Sequence, residues 1–178
     1  MIRLLDILFS LLGILILFSL FSLIWIFSFF DNGSPLFKQI RVGRYQKPFT
    51  LIKFRTMPKS TKSAATHLVR NINLNRFSFF LRKTKLDEIP QLWNVLIGDM
   101  SLVGPRPCLF NQKKLIMERK KRGVFKVKPG ITGLAQIKNI TMKHPTLLAK
   151  IDLQMIKQLN IFNYCYYIVV TILLIFKK

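Results

Sequence analysis

The chain has 178 residues, of which 29 are Lys or Arg and only 7 are Asp or Glu, so its formal net charge is +22. This length accommodates one modest domain plus an anchor, and a 51% hydrophobic content beside so much positive charge indicates contact with anionic lipid, nucleotide or nucleic acid. The cysteines and histidines lack ligand spacing, which argues against a zinc site and a disulfide framework and favours Cys108 and Cys165 as buried thiols.

The first predicted element is an uncharged segment at residues 7–30, interrupted only by Gly13 and four serines. It is long enough to cross a bilayer core of about 30 Å. Because it ends in Phe-Phe-Asp-Asn-Gly instead of a small-residue cleavage site, we interpret it as a retained anchor and not as a signal peptide. Only Arg3 among the basic residues precedes it, which places the rest of the chain in the cytoplasm by the positive-inside rule.

Two short extended pieces bounded by Pro and Gly follow at residues 33–44 and 48–57. In the second piece, alternation places Lys53 and Arg55 on one strand face and Phe54 on the other. A phosphate-binding or interfacial surface would use such a basic face, and an ordinary solvated strand face fits the pattern equally well.

A polar loop is predicted at residues 58–75, followed by a short basic and aromatic segment at residues 76–85. Helical spacing of apolar residues then predicts a helix with one apolar stripe, formed by Ile89, Leu92, Trp93, Leu96 and Ile97. Asp87 would begin this helix, where the helix dipole favours an ionised carboxylate and a bound phosphate. Two adjacent acids in so basic a chain suggest a dedicated function, although an N-cap at Asp87 and a first-turn acid at Glu88 would serve helix stability alone.

Two rigid or Gly-rich turns lie further along the chain. Arg106 stands between two prolines whose rings restrict the backbone, so its guanidinium would lose little freedom on gripping a phosphate. Residues 128–136 contain two glycines that permit close backbone approach to a ligand, together with the hydroxyl of Thr132. A plain rigid loop and an ordinary Gly-rich turn remain alternatives for the two segments.

The C-terminal part predicts two helices. Leu148, Ile151, Met155 and Leu159 follow helical spacing, and residues 161–176 are uncharged. Because a transmembrane helix needs about 20 apolar residues, this last piece is expected to be interfacial or packed against the core.

Four boxes in this order resemble the bacterial sugar transferase family, the monotopic phosphoglycosyl transferases. They are Arg-x-x-Asp at residues 3–6, Lys-Phe-Arg-Thr-Met at 53–57, the Asp-Glu dyad with its following Gly-Pro-Arg-Pro within 86–107, and Lys-Pro-Gly-Ile-Thr-Gly-Leu-Ala-Gln at 128–136. The resemblance implies an α+β fold with a re-entrant membrane helix at residues 1–31. Residues 32–178 would form a small mixed catalytic domain with short strands and amphipathic interfacial helices.

The bend of that membrane helix is less clearly specified here than in the family. A Ser-Pro pair bends it in the family, whereas this chain has Leu20 after Ser19. Ser19 and Ser22 can still bond back to preceding carbonyls, which is a weaker device than proline. A straight single-pass helix is therefore the alternative to the re-entrant one.

The chemistry implied by the resemblance is transfer of a sugar-1-phosphate from a UDP-sugar to a polyprenol phosphate such as undecaprenyl phosphate. UMP would leave and a covalent aspartyl-phosphosugar would form, in the first membrane step of bacterial glycan assembly at the cytoplasmic face of the inner membrane. Asp87 carries over as the nucleophile and Glu88 as a metal-linked or general-base partner, and both would hold Mg²⁺. The residues implied to bind substrate phosphate are Arg82, Arg106, Lys53, Arg55, Lys128 and Thr132.

Two departures from the family leave the donor sugar open. Lys128 stands where an arginine is common, and residues 137–140 replace an expected Val-Asn-Gly-Arg. The rival function is a membrane-anchored basic protein that binds nucleic acid or anionic lipid, but the chain shows no recognised nucleic-acid motif.

Overall fold

The computed structural model describes residues 1–57 and 75–177. In this part of the chain, eight helices surround two small two-stranded sheets, which confirms the predicted mixture of helices and short strands. The loop predicted at residues 58–75 lies, apart from its last residue, outside the described residues. The helices are α1 (Ile2–Ile16), α2 (Phe18–Asn32), α3 (Arg76–Lys83), α4 (Gln91–Ile97), α5 (Lys113–Lys121), α6 (Leu134–Ile137), α7 (Pro145–Gln158) and α8 (Ile161–Phe176). The strands are β1 (Leu36–Val42), β2 (Pro48–Phe54), β3 (Ser101–Val103) and β4 (Gly130–Thr132).

The predicted membrane segment is a pair of helices bent by 63° where α1 meets α2 at Leu17. Among the described residues, no single helix has the length and apolarity needed to cross a bilayer, whereas this pair has those of a broken span or a re-entrant loop. The two helices pack against different parts of the protein. Gly13 allows α1 to lie close to Leu92 of α4. The Phe21 ring of α2 contacts the Phe54 ring of β2, with 4.9 Å between the ring centres. Ser22 donates its hydroxyl to the carbonyl of Phe18 at 3.0 Å, one turn beyond the break.

Arg3 and Asp6 attach the start of α1 to α4, β3 and α8. The Arg3 guanidinium donates to the carbonyls of Val95 and Leu96 at 2.6 and 2.8 Å, in the last turn of α4. The carbonyls of the last turn of a helix lack full intrahelical pairing, so a side-chain donor is favoured there. The family's Arg-x-x-Asp box therefore has a structural role in this chain.

Asp6 is buried and accepts three hydrogen bonds on one oxygen. The donors are the Ser101 hydroxyl at 2.8 Å, the Leu102 amide at 2.9 Å and the Tyr164 hydroxyl at 2.8 Å. These contacts join α1, β3 and α8 around one carboxylate. Three donors to this oxygen offset the cost of burying the carboxyl group.

The two sheets both contribute residues to the candidate site that is described in the next subsection. Strands β1 and β2 form an antiparallel hairpin whose register pairs Leu36 with Phe54 and Val42 with Pro48. Strands β3 and β4 are parallel, with Ser101 opposite Gly130. The main core, which contains Val95, Met100, Val103, Met155 and Tyr164, packs α4, α7 and α8 against these strands.

Helix α4 turns its polar face inward. Asn94 is buried, accepts a hydrogen bond from the Ile52 amide at 3.0 Å and donates to the Thr50 carbonyl at 2.8 Å. Trp93 and Ile97, which belong to the predicted apolar stripe, are each 53% exposed. Ile89 and Leu92 of the same stripe pack against buried clusters, so the stripe is partly covered by protein and partly exposed.

Helix α8 packs against the core, as one of the two alternatives predicted for the C-terminal segment has it. Tyr164 and Tyr167 are buried in the core, whereas Phe162, Val169 and Leu173 are exposed on the other face. The cysteines are free thiols, with Cys108 buried and Cys165 partly buried, as expected.

Candidate active site

The Asp-Glu dyad lies in a separate 3₁₀ turn, Leu86–Glu88, between α3 and α4. Lys85 adopts the left-handed conformation (φ 57°), which ends the preceding helix and redirects the chain, and the Glu88 amide then bonds the Lys85 carbonyl at 3.0 Å. Pro90 caps α4, which begins only at Gln91.

The prediction that Asp87 begins the amphipathic helix is therefore wrong. The dyad stands one turn earlier, because the left-handed Lys85 and the i→i+3 bonds that follow it close a turn of their own. Helix α4 is also only 7 residues long, so its dipole is a weak source of positive charge at the dyad. The electrostatics of the site come from side chains instead.

Cations from separate elements converge on the dyad. A narrow cavity of about 30 Å³, here called the dyad cavity, is lined by Glu88 together with Lys53 of β2, Arg41 of β1 and Arg106 of the Pro-Arg-Pro loop. Arg82 of α3 adds its charge, since its field acts on both Asp87 and Lys53. Three of the predicted phosphate-binding residues are thus brought together here, namely Lys53, Arg82 and Arg106.

Glu88 is held by Arg106. The Arg106 Nη2 atom lies 2.7 Å from Glu88 Oε1, and the Glu88 side chain is 13% exposed. Burial alone would raise the pKa of Glu88, but the charge and hydrogen bond of Arg106 outweigh it and lower the pKa below its ordinary value. Glu88 is therefore ionised and already engaged.

Asp87 is perturbed in the opposite direction. Its side chain is buried, and that burial, together with the neighbouring Glu88 charge, raises the pKa of Asp87 to about 6 against the opposing charges of Lys53, Arg82 and Arg106. Within the described part of the chain, the Asp87 carboxylate has no hydrogen-bond donor. Two adjacent carboxylates with pKa values pushed apart are typical of groups with different catalytic roles.

Arg119 and Asp152 form a buried ion pair that supports the Pro-Arg-Pro loop. Arg119 Nε donates to Asp152 Oδ2 at 2.9 Å, and both side chains are at most 2% exposed. The same guanidinium donates through Nη1 to the Arg106 carbonyl at 2.8 Å. The sequence did not predict this pair. Only the fold shows that Arg119 binds both Asp152 and the Arg106 carbonyl.

Arg41 is a second site residue that sequence reasoning missed. It donates to the Pro107 carbonyl at 3.2 Å and to Gln39 Oε1 at 2.5 Å, while its Nε atom is buried without a partner among the described atoms. Burial and the nearby Arg106 charge lower the pKa of Arg41 to about 10. The available signal was its position on the strand that pairs with the one carrying Lys53.

The other predicted phosphate-binding residues lie away from the dyad cavity. Arg55 lies one residue beyond the end of β2. Its guanidinium is on the same side as Lys53, 5.6 Å from the centre of the Phe37 ring, and it donates to the Leu36 carbonyl at 3.3 Å. The Thr132 hydroxyl bonds that of Thr171 on α8. Lys128 lines a different cavity, described below.

The glycines of residues 128–136 serve backbone packing. A Cβ atom on Gly130 would lie 2.0 Å from the Gly104 nitrogen, and one on Gly133 would lie 2.7 Å from the Gly104 oxygen. The close approach expected for a ligand is therefore made by the neighbouring loop of the protein itself. Gly130 still lines the dyad cavity through its backbone.

No group of three or more His, Cys, Asp or Glu side chains able to hold a metal occurs in the described ranges. Asp87 and Glu88 supply two carboxylates. Magnesium is commonly bound through one or two carboxylates plus substrate phosphates and water, so this donor set fits Mg²⁺ held jointly with a diphosphate.

Comparison with known proteins places the chain among sugar transferases. The family model described as bacterial sugar transferase matches residues 1–178. The uncharacterized sugar transferase EpsL of Bacillus subtilis is 51% identical over 106 residues, which cover 59% of this chain and 52% of that protein. Galactosyl transferase CpsE of Streptococcus agalactiae is 35% identical over an alignment of 178 residues that covers 90% of this chain and 39% of that protein.

A third relative carries a more specific name. The UDP-glucose:undecaprenyl-phosphate glucose-1-phosphate transferase of Klebsiella pneumoniae is 42% identical over 111 residues, covering 59% of this chain and 23% of that protein. The chain thus spans about half or less of the length of these relatives. Because the family model covers the whole chain, including the dyad and its cations, this protein belongs to the bacterial sugar transferase family.

Proposed function

We propose that this protein transfers a sugar-1-phosphate from a UDP-sugar to a polyprenol phosphate such as undecaprenyl phosphate, with release of UMP. The observation that carries the proposal is the dyad itself. Its Asp87 carboxylate has no hydrogen-bond donor among the described residues and lies in the field of Lys53, Arg82 and Arg106, beside an ionised Glu88 that Arg106 holds. Relatives named for transfer of glucose-1-phosphate and galactose phosphate to undecaprenyl phosphate support the substrate class.

The reaction divides into two displacements at phosphorus. An Asp87 carboxylate oxygen attacks the β-phosphorus of the UDP-sugar, the bond from that phosphorus to the bridging oxygen breaks, and UMP leaves with the electron pair. A phosphate oxygen of the polyprenol phosphate then attacks the same phosphorus, and the Asp87 carboxylate is expelled. Through the covalent intermediate, the polyprenol phosphate attacks a phosphosugar on Asp87 instead of the UDP-sugar itself. This avoids a direct reaction between the two polyanionic substrates.

The cations assist both steps by holding charge. Arg106 and Lys53 line the dyad cavity beside Glu88, where charge on the diphosphate grows as UMP departs. Arg41 lies against the Pro-Arg-Pro loop and supplies a buried N–H group without a partner among the described atoms. Glu88 holds the Arg106 guanidinium in place through its ion pair.

Mg²⁺ is the proposed cofactor, held by Asp87 and Glu88 together with the substrate diphosphate. When bound, it would neutralise negative charge on the transferring phosphoryl group. A chelator should abolish UMP release, and added Mg²⁺ should restore it. Full turnover in excess chelator would contradict the requirement.

The proposed location is the cytoplasmic face of the bacterial inner membrane, with α1 and α2 as a re-entrant pair. The 63° bend supports this topology, as does Arg3, which is held in the catalytic part of the chain. A single cysteine in a short extension before Met1, in a Cys108→Ala, Cys165→Ala background, tests it. An impermeant thiol reagent should label this cysteine only after lysis, and labelling in intact cells would show a straight span.

Turnover is tested with the full chain purified in nonionic detergent. UDP-glucose, UDP-galactose and UDP-N-acetylgalactosamine are each mixed with undecaprenyl phosphate and Mg²⁺, and UMP release is measured beside an Asp87→Asn control. At least one donor should release UMP with the wild type and none with the variant. Absence of UMP from every UDP-sugar, together with salt-dependent binding to any polyanion, would favour a basic binding protein instead.

A further inference from the structure

A second cavity lies apart from the dyad. It has a volume of about 240 Å³, lies between the start of α1 and the end of α7, and shares no lining residue with the dyad cavity. We call it the basic cavity because its polar lining includes four cations, which are Arg3, Arg44, Lys126 and Lys128. Its apolar wall includes Ile156 and Leu159.

The four cations of the basic cavity outnumber the acids whose charges act on Lys128, which are Asp6 in the lining and Asp99. One oxygen of the Asp6 carboxylate already accepts three hydrogen bonds. Within the described ranges, Lys126 and Lys128 make no salt bridge or side-chain hydrogen bond. Burial and the charges of Arg3 and Arg44 lower the pKa of Lys128, as expected where like charges are crowded.

The surroundings of the basic cavity are apolar and exposed. Leu4, which follows the lining residue Arg3, is 71% exposed, and Phe162, three residues after the lining residue Leu159, is 86% exposed. Exposed hydrocarbon therefore lies close in the chain to two residues of the cationic cavity. An occupant must therefore combine a negative head with an apolar body. A volume of about 240 Å³ is below the roughly 300–1,000 Å³ that encloses a drug-sized ligand, which suits a headgroup better than a whole nucleotide sugar.

We propose that the basic cavity binds the phosphate headgroup of an anionic phospholipid, whose acyl chains lie along the exposed apolar faces of α1 and α8. The Lys126 and Lys128 ammonium groups supply the charge, and the wall formed by Ile156 and Leu159 accepts the glycerol end of the lipid. This site is independent of the transferase reaction. It fixes the start of α1 at headgroup level, which is where a re-entrant pair must begin and end.

The test uses the full chain in nonionic detergent micelles at constant ionic strength. Dihexanoyl phosphatidylglycerol, dihexanoyl phosphatidylcholine and inorganic phosphate are titrated separately, and the midpoint of thermal unfolding is followed as a measure of binding to the folded state. Phosphatidylglycerol should raise the midpoint with saturation, and the other two should not. An equal response to phosphate would show a free-phosphate site, and an equal response to phosphatidylcholine would show that the headgroup charge is not recognised.

Lys126→Gln/Lys128→Gln tests the residues. Its affinity for phosphatidylglycerol should fall about 30-fold, since each basic group near an anionic lipid contributes about fivefold. Lys113→Gln/Lys114→Gln on the exposed start of α5 removes the same charge elsewhere and should bind like the wild type. An equal loss in this control would overturn the proposal in favour of a net-charge effect.

A single variant covers the case in which the double variant does not fold. Lys126 is exposed, so Lys126→Gln alone should fold and lose about fivefold in affinity. Unchanged affinity in this variant would refute a role for Lys126. UMP release is assayed separately, so failure of the lipid site and failure of the proposed transferase function give different results.

Discussion

Asp87 and Glu88 are neighbours in the chain but occupy different electrostatic environments. Arg106 pairs directly with Glu88, whereas burial and the Glu88 charge raise the pKa of Asp87. A carboxylate that is poorly stabilised by its surroundings is a better nucleophile than one already engaged by a guanidinium. The arrangement therefore supports the proposed roles, in which Asp87 attacks and Glu88 organises charge.

The pH dependence of turnover follows from this assignment. Because only the ionised Asp87 carboxylate attacks, kcat/KM should rise with pH through the free-enzyme pKa of about 6 and level off above it. The Arg82 charge lowers the pKa of Asp87, so Arg82→Gln should shift the rising part of the pH profile, the acid limb, to higher pH. Initial rates of UMP release at low UDP-sugar concentration between pH 5 and about 9 measure both. A limb that stays in place or moves to lower pH would contradict the electrostatic account.

Arg106→Lys should lower kcat/KM by about 10²-fold, because an ammonium cannot hold Glu88 and a phosphate oxygen in the fork geometry of a guanidinium. Lys83→Gln, on an exposed position of α3, is the matched change and should stay close to wild type. The same UMP assay reports both variants. Equal activity of Arg106→Lys and wild type would exclude Arg106 from phosphate binding.

At the scale of single residues, the sequence identified the dyad and three of its cations, because the boxes that carry them resemble a known family. It did not identify Arg41, whose role depends on the pairing of two strands and on a loop 66 residues away. It also did not predict that Lys128 lines a different cavity from the one beside Glu88. Neighbours brought together by tertiary packing leave no local pattern to recognise.

At the scale of elements, the structure explains why the N-terminal segment carries Arg3 and Asp6. Arg3 binds the last carbonyls of α4, the helix that follows the dyad, and Asp6 binds the strand after it and α8. Helix α1 is therefore a structural part of the unit that carries the dyad. Displacement of α1 would disturb α4 and with it the position of the dyad.

Asp6→Asn tests this connection. An amide oxygen accepts two hydrogen bonds, so one of the three buried donors loses its partner, and the free energy of unfolding should fall by about 1–3 kcal/mol. Urea unfolding in detergent micelles measures it. Tyr164→Phe in the Asp6→Asn background should cost less than in the wild type, because the two groups share one hydrogen bond. Strictly additive costs would show that they do not interact.

Periodicity correctly predicted the apolar and polar faces of α4 but not the direction in which each one points. Ile89 and Leu92 of the apolar stripe pack against buried clusters whereas Trp93 and Ile97 are exposed, and hydrophobicity alone does not distinguish these two pairs. The inward direction of Asn94 depends on its two hydrogen bonds with the β2 backbone. The start of α4 was misplaced for a similar reason, since a left-handed Lys85 has no sequence signature comparable to glycine.

At the scale of the whole molecule, exposed apolar side chains extend over several elements. Leu8 of α1, Phe80 of α3, Trp93 of α4 and Leu173 of α8 are each at least half exposed, and the chain carries a net charge of +22 beside them. So much exposed hydrocarbon is unusual for a protein surrounded by water. It is expected of a protein that sits in one leaflet and attracts anionic lipid.

Trp93 provides a probe of that surface. In a Trp25→Phe variant, Trp93 is the remaining tryptophan, and its 53% exposed ring should lie in the acyl region of the bilayer. Reconstitution into lipids brominated near the start of the acyl chains should quench its fluorescence strongly. Emission insensitive to bromine but quenched by aqueous iodide would place α4 in water and contradict this orientation.

The central claim is that Asp87 carries the phosphosugar between donor and acceptor. The most direct measurement is intact-protein and peptide mass spectrometry of the full chain after brief incubation with a UDP-sugar that supports turnover and Mg²⁺, without polyprenol phosphate. The account predicts a mass increase of one phosphosugar on the peptide containing Asp87, stoichiometric UMP, loss of the adduct on adding undecaprenyl phosphate, and no adduct in Asp87→Asn. An adduct on another residue, or turnover with no adduct at any time, would contradict it.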